Sequence, residues 1–284
     1  MSATLSSDRP PLTGLYGSAY LAACARHEAV RPASLAAGGV RLPVLVADGD
    51  GAIATPYGYP QPEGDGPLEP LRDAALTCSR PWRAALAPIG RGAELAVLLA
   101  ERLTPAASRP IAVHDLDGGA PADRFSSGAR SMVRRAGRAG PRLERGAVTG
   151  VFGTLYRTAM DVLDADPLYR FGDDYFAALN AAGGVQLLLH DEHGVAAGAV
   201  FLIGAPEASY HLSARRPDPP PPPGAANLLI AEGLELCRDA GAAVCYLGGG
   251  TSTAADDPLL AFKRAMATRV VDRPVFAGSG AGAA

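Results

Sequence analysis

The stretch that leaves the chain least freedom is residues 209–267. It reads SYHLSARR, a run of prolines, GAANLLIAEGLELCRDAGAAVCYLGGG and, after a short polar link, DDPLLAFKRAM. Alternating Tyr210, Leu212 and Ala214 predict a half-buried strand. Pro219 to Pro223 exclude helix and central strand, so they form an exposed loop. Leu228, Leu229, Leu234, Leu236 and Cys237 recur at helical spacing, and Gly241 supplies the C-terminal stop. Residues 242–247 are short, apolar and closed by three glycines, which suits a buried parallel strand. Asp256 and Asp257 before Pro258 open one more helix, over 259–266. A strand, a crossover helix and a second strand make this region α/β.

The preceding residues fit the same class. Helices are expected over 148–162 and 173–182, and an antiparallel meander over 185–190, 195–203 and 209–214. Residues 12–110 form a first α/β unit, with helices over 18–26, 68–77 and 92–103 and strands over 40–47, 82–88 and 111–115. Pro43 marks an edge or bulge, Trp82 anchors a core, and 55–62, dense in Pro, Gly and Tyr, is a turn. At 284 residues the chain suits two domains, here 1–122 and 123–284, with 123–145 as a basic linker helix. No close internal repeat is visible.

A net charge of −3 does not announce a nucleic-acid binder. Cys24, Cys78, Cys237 and Cys245 stand apart, without metal spacing, and read as thiols of a reducing compartment. His190 and His193 lack partners at ligand spacing, so no metal is expected. The first residues lack the apolar core of a signal peptide, and no apolar run is long enough to span a bilayer; the expectation is a cytoplasmic protein. Serine-hydrolase, zinc-protease, kinase and P-loop signatures are missing. Basic residues carry one anomaly: 26 in all, and only Lys263 is lysine. A chain that uses arginine elsewhere has a compact ammonium there, and the two are not interchangeable where a point donor is needed.

YHLS, ANLL on a helix, YLGGG and DPLLAFK follow one another in the order seen in the C-terminal half of the FemA/FemB/FemX-like aminoacyltransferases, a family of the GNAT acetyltransferase fold, which this chain resembles. The match runs through Tyr210, His211, Ser213, Asn227, Gly249, Asp257 and Lys263. TPYGYP at 55–60 is similar to the family's tyrosine–glycine turn, and the arginine-rich helix over 127–140 to its basic segment. The resemblance implies two GNAT-like domains, each a mixed twisted sheet flanked by helices. It also implies an amide-forming transferase that takes an amino acid from tRNA and gives it to an amine.

On that resemblance, Lys263 meets the developing oxyanion and Asp257 positions Lys263 or the acceptor ammonium. Tyr57 and Tyr210 wall the cleft, while His211, Ser213 and Gly249 touch substrate. Arg130, Arg134 and Arg138, spaced four apart, and Arg135 hold tRNA phosphates. Partners are aminoacyl-tRNA as co-substrate, with no cofactor, and an amine-bearing small molecule or peptide of a biosynthetic pathway. Acyl-CoA enzymes of this fold cradle pyrophosphate on glycine N–H groups between the fourth strand and the next helix. Here that junction is RRPDPPPPPG, residues 215–224, whose prolines donate nothing. Three alternatives stay open: an acyl-CoA-dependent N-acyltransferase, a peptidoglycan bridge-forming aminoacyltransferase, and a catalytically silent binding module.

Overall fold

The computed structural model describes residues 4–6, 12, 15–254 and 256–279. The chain divides into two compact units, 1–109 with 272–284, and 110–271.

Unit 1 contains β1 (Thr4–Ser6), α1 (Ser18–Glu28), β2 (Arg31–Ala37), β3 (Val40–Val46), β4 (Ile53–Ala54), α2 (Glu69–Leu76), β5 (Trp82–Ala85) and α3 (Arg91–Ala100). Neighbouring strands run antiparallel from β1 to β4, and β4 and β5 are parallel. Leu42, Val44, Leu71, Leu95 and Leu99 join strands, α2 and α3 in one apolar core, with half-buried Trp82 packed against it. Pro43 fits because of where its nitrogen points. Arg41 exchanges both backbone bonds with Glu63, on the side away from β2, and the ladder to β4 begins only at Leu45. Pro43 therefore faces the gap between them, where no N–H is required.

Unit 2 continues with β6 (Ala107–Asp115), α4 (Ser127–Arg138), β7 (Arg142–Gly146), α5 (Gly150–Val162), α6 (Asp173–Ala181), β8 (Gly184–Asp191), β9 (Gly194–Ile203), β10 (Glu207–Arg215), α7 (Ala225–Asp239), β11 (Val244–Gly248) and α8 (Pro258–Arg264). Strands β8 to β10 form the expected antiparallel meander, and β7 extends it where the sequence suggested the end of the linker helix; β10 and β11 are parallel, and β6 lies antiparallel to β11. Ala129 and Ala136 of α4 and Leu228, Leu229 and Leu234 of α7 share a core with Phe201 of β9. On the other face, Phe152, Tyr156, Tyr175 and Phe176 of α5 and α6 form an aromatic cluster.

The two units have the same strand pattern: three antiparallel steps, one parallel step, one antiparallel step. Each is a mixed sheet flanked by helices. The sixth strand is exchanged. Strand β6, which follows α3, pairs with β11 of unit 2, while β12 (Arg269–Gly278), which follows α8, pairs with β5 of unit 1. This exchange is why the division falls at 109/110 and 271/272 where the sequence suggested 122/123. It also makes α4 part of unit 2, where it packs on α7.

Candidate functional site

Strands β10 and β11 pair for only three residues, Glu207 to Ser209 against Val244 to Tyr246. Past that point β10 runs on to Arg215 and β11 to Gly248 without a ladder between them. Both strands lose register with their outer neighbours at the same level, β10 between Tyr210 and Leu212, β11 between Tyr246 and Gly248. Bulges re-aim strands and interrupt pairing, so the sheet splays at its one parallel pair in this unit.

The turn after β11 is built around Asp257. Its Oδ1 caps α8 by accepting from Leu260 N–H at 2.9 Å. Its Oδ2 accepts from the N–H and hydroxyl of Thr251 (3.0 and 2.8 Å) and of Ser252 (2.9 and 3.0 Å). These bonds, the Leu260 N–H first, hold the carboxyl far below the usual carboxylate range. A side chain at Gly250 would drive its Cβ into that Oδ1, and Gly248 adopts φ +95°. Both positions need glycine. With its oxygens so engaged, Asp257 acts as the clamp of the glycine turn and the start of α8.

Lys263 points from α8 back to that turn. Its Nζ donates to the Gly249 carbonyl at 2.8 Å, and burial lowers its pKa to about 8 against the opposing pull of Asp257. The structure therefore brings Lys263, Gly249 and Asp257 together at the C-terminal end of the splayed pair. The end of α8 is gripped too. The Met266 carbonyl lies 2.7 Å from His114 Nδ1, and Asn227 Nδ2 lies 3.4 Å from Met266 Sδ.

The β10 residues divide between faces. Half-buried Tyr210 packs beside Phe201, ring centroids 5.4 Å apart, on the α4–α7 side. Burial pushes its phenol up to about 12, with Ser213 drawing it down. His211 lies on the α5–α6 side, its Nε2 2.8 Å from Tyr175 Oη, and Tyr175 stacks on Phe171 at 4.0 Å. Burial drives the imidazole down to about 3, so it is neutral at ordinary pH. His211 is thus tied into the aromatic cluster.

Arg130 is half-buried and donates to the carbonyls of Asp123 and Phe125 ahead of its own helix. Arg134, Arg135 and Arg138 are exposed and make no ion pair among the described residues. Helix α4 crosses the start of α7 closely: a Cβ on Gly224 would run into the Met132 carbonyl. The proline loop ahead of Gly224 is pinned by a bidentate Arg216–Asp191 pair at 3.0 and 2.7 Å. Tyr57 belongs to unit 1, at the tip of the 55–61 turn, 36% exposed. Tyr20 Oη donates to its carbonyl at 3.0 Å, and the Arg273 guanidinium lies over Tyr59 at 4.8 Å. His114 and Tyr175 carry no motif in the sequence; a polar residue inside the apolar run of β6 was the one signal for the former.

Among the described residues, no three His, Cys, Asp or Glu side chains gather as metal ligands, and no helix is long and apolar enough to cross a membrane. None of Cys24, Cys78, Cys237 and Cys245 forms a disulfide, and Cys24, Cys237 and Cys245 are buried.

No family model and no curated protein matches the sequence. Solved structures do match in fold. The crystal structure of FemX superposes with a TM-score of 0.67 at 13% identity, covering 98% of this chain and 97% of that one. The C-terminal domain of a putative lysylphosphatidylglycerol synthetase from Agrobacterium fabrum gives 0.59 at 17%, covering 93% and 88%. A tandem GNAT protein from the clavulanic acid biosynthesis pathway gives 0.50 at 18%, covering 90% and 85%. At such identities the likeness is one of architecture: the chain has the tandem GNAT fold.

Proposed function

We propose that this protein is an acyltransferase that moves an amino acid from tRNA to an amine, forming an amide. The observation that carries the reading is Lys263: the chain's one lysine, desolvated at the end of the splayed parallel pair and aimed at the glycine turn. The neutral acceptor amine attacks the ester carbonyl, the C–N bond forms, and charge collects on the carbonyl oxygen. The Lys263 ammonium donates to that oxygen or to the departing ribose oxygen as the C–O bond breaks. The proton lost by the amine ends on the ribose hydroxyl. The ester is already activated, so alignment and charge stabilisation suffice.

Two features support tRNA as carrier. Exposed Arg134, Arg135 and Arg138 lie on the helix that packs against the start of α7, and Asn227 of α7 touches Met266, three residues past Lys263. Six prolines occupy the β10–α7 junction, which is poor ground for a CoA pyrophosphate. The likeness to FemX and to the lysylphosphatidylglycerol synthetase domain is consistent with aminoacyl chemistry. The likeness to the tandem GNAT protein favours the second reading, transfer from acyl-CoA. Mass spectrometry after incubation with a charged tRNA pool and candidate amines separates the two. Amide products that need charged tRNA support the proposal. Acylation from acetyl-CoA with none from tRNA would replace it.

A further inference from the structure

We infer that His114 and Asn227 are positioning residues for Lys263: by gripping Met266 they fix the helix that aims the lysine. The inference rests on the reading of Lys263 as the reacting cation.

Helix α8 has only seven residues, too few to hold its own direction. Its aim is set at its ends. Asp257 fixes the first turn, and Met266 follows directly on the last. Met266 N–H bonds back to the Lys263 carbonyl at 3.0 Å, so whatever holds Met266 holds the lysine's backbone. A carbonyl only accepts, so the 2.7 Å contact to Met266 requires the proton on His114 Nδ1 and leaves Nε2 bare. That Nε2 is buried and has no partner among the described residues. A buried acceptor left unpaired costs stability, and an apolar side chain would fill the place more cheaply. What the imidazole contributes there is its bond to the end of α8. Asn227, also buried, reaches the same residue from α7 through its contact with Sδ. The charged groups acting on the pair are Asp257 on Lys263, and Arg124 and Asp115 with opposite signs on His114.

The single lysine makes the test direct. Protein grown with [ε-13C]lysine gives one side-chain resonance, whose titration reports Lys263 without any activity assay. The wild type should titrate at about 8. His114→Leu keeps the volume and removes the donor; the freed lysine takes up water, and its inflection should climb toward the ordinary value of about 10.4. His114→Asn, whose amide N–H stands near the lost Nδ1–H, should bring it back down. Turnover with charged tRNA should fall roughly tenfold or more in His114→Leu at unchanged KM, since misplacement costs rate, and recover in His114→Asn. Should His114→Leu not fold, Asn227→Leu is read the same way, with a smaller shift. A folded leucine variant whose lysine titrates as in the wild type, or an asparagine variant that restores nothing, overturns the inference. A wild type that transfers nothing from tRNA while the titration still shifts with His114 would sink the proposed reaction and leave the grip standing.

Discussion

His211 should make this protein acid-sensitive well above the carboxylate range. Its imidazole is 8% exposed, bonded to Tyr175 and pushed by burial to about 3, against 6.5 for the free group. The unfolded chain therefore takes up a proton near pH 6.5 that the folded chain refuses until about pH 3. A histidine with a depressed folded pKa contributes its full stability above the unfolded value and loses it as pH falls toward the folded one. Each pH unit in that window costs about 1.4 kcal/mol, so a fall from about pH 6.5 to about pH 5 removes about 2 kcal/mol. His114, also lowered by burial, adds to the slope with the same sign. His211→Gln keeps a neutral amide beside the Tyr175 hydroxyl and removes the titration. Urea midpoints at about pH 7 and about pH 5 decide the matter, converted through the slope of each transition. The wild type should lose about 2 kcal/mol more than the variant between the two conditions. Equal losses would refute the assignment of a buried, neutral His211.

Lys263→Ala should lower turnover by about 10² to 10³ while its melting curve stays near that of the wild type, and Lys263→Arg should also be poor. If the ammonium is the working form, the wild-type rate should fall as pH rises through about 8, which a rate–pH profile would show directly. Changing Arg134, Arg135 and Arg138 to Glu should weaken tRNA binding and flatten its salt dependence by roughly 0.7 to 0.9 in log–log slope per lost phosphate contact; Arg130→Glu should instead lower the melting temperature, because its guanidinium is spent on the carbonyls of Asp123 and Phe125. Gly250→Ala should cost about 1 to 3 kcal/mol in denaturation, since the methyl meets the Asp257 carboxylate head-on.

Most of unit 2 was legible because its strands and helices carry long apolar periods. The meander and the crossover helix fell within a residue or two of expectation. Strands β2, β7 and β12 were not anticipated. RPASLAA, RLERG and RVVDRPVFAG mix proline, arginine and small residues, and only their neighbours make them strands. The lone lysine and the glycine turn were visible as chemistry. Their fit to Asp257 was not, because five hydrogen bonds converging on one carboxylate depend on a loop conformation that no period encodes. Arg130, Arg134 and Arg138 share a helix face on spacing alone. That the first is bound to carbonyls while the others face solvent is decided by the turn ahead of α4. His211 and Tyr175 stand 36 residues apart, and nothing local links them.

The exchanged sixth strands set an order on synthesis. Unit 1 is largely made before residue 110, yet its sheet lacks β12 until residues 269–278 leave the ribosome. Until then β5 is an open edge along Trp82 to Ala85, the four positions that later pair with 275–278. The carbonyls of Gly58 and Leu86, which Arg273 will take up, are equally unserved, and that of Ala85 has only the Thr55 hydroxyl at 3.2 Å. The tyrosine turn, already held by Tyr20 and Gln61, therefore gains its last anchor, Arg273, late in synthesis. A chain stopped before residue 269 would carry Lys263, Asp257 and the arginine helix, and would still lack a finished first unit. Truncation there should be read out at Tyr57 and Tyr59, more than 200 residues away in sequence.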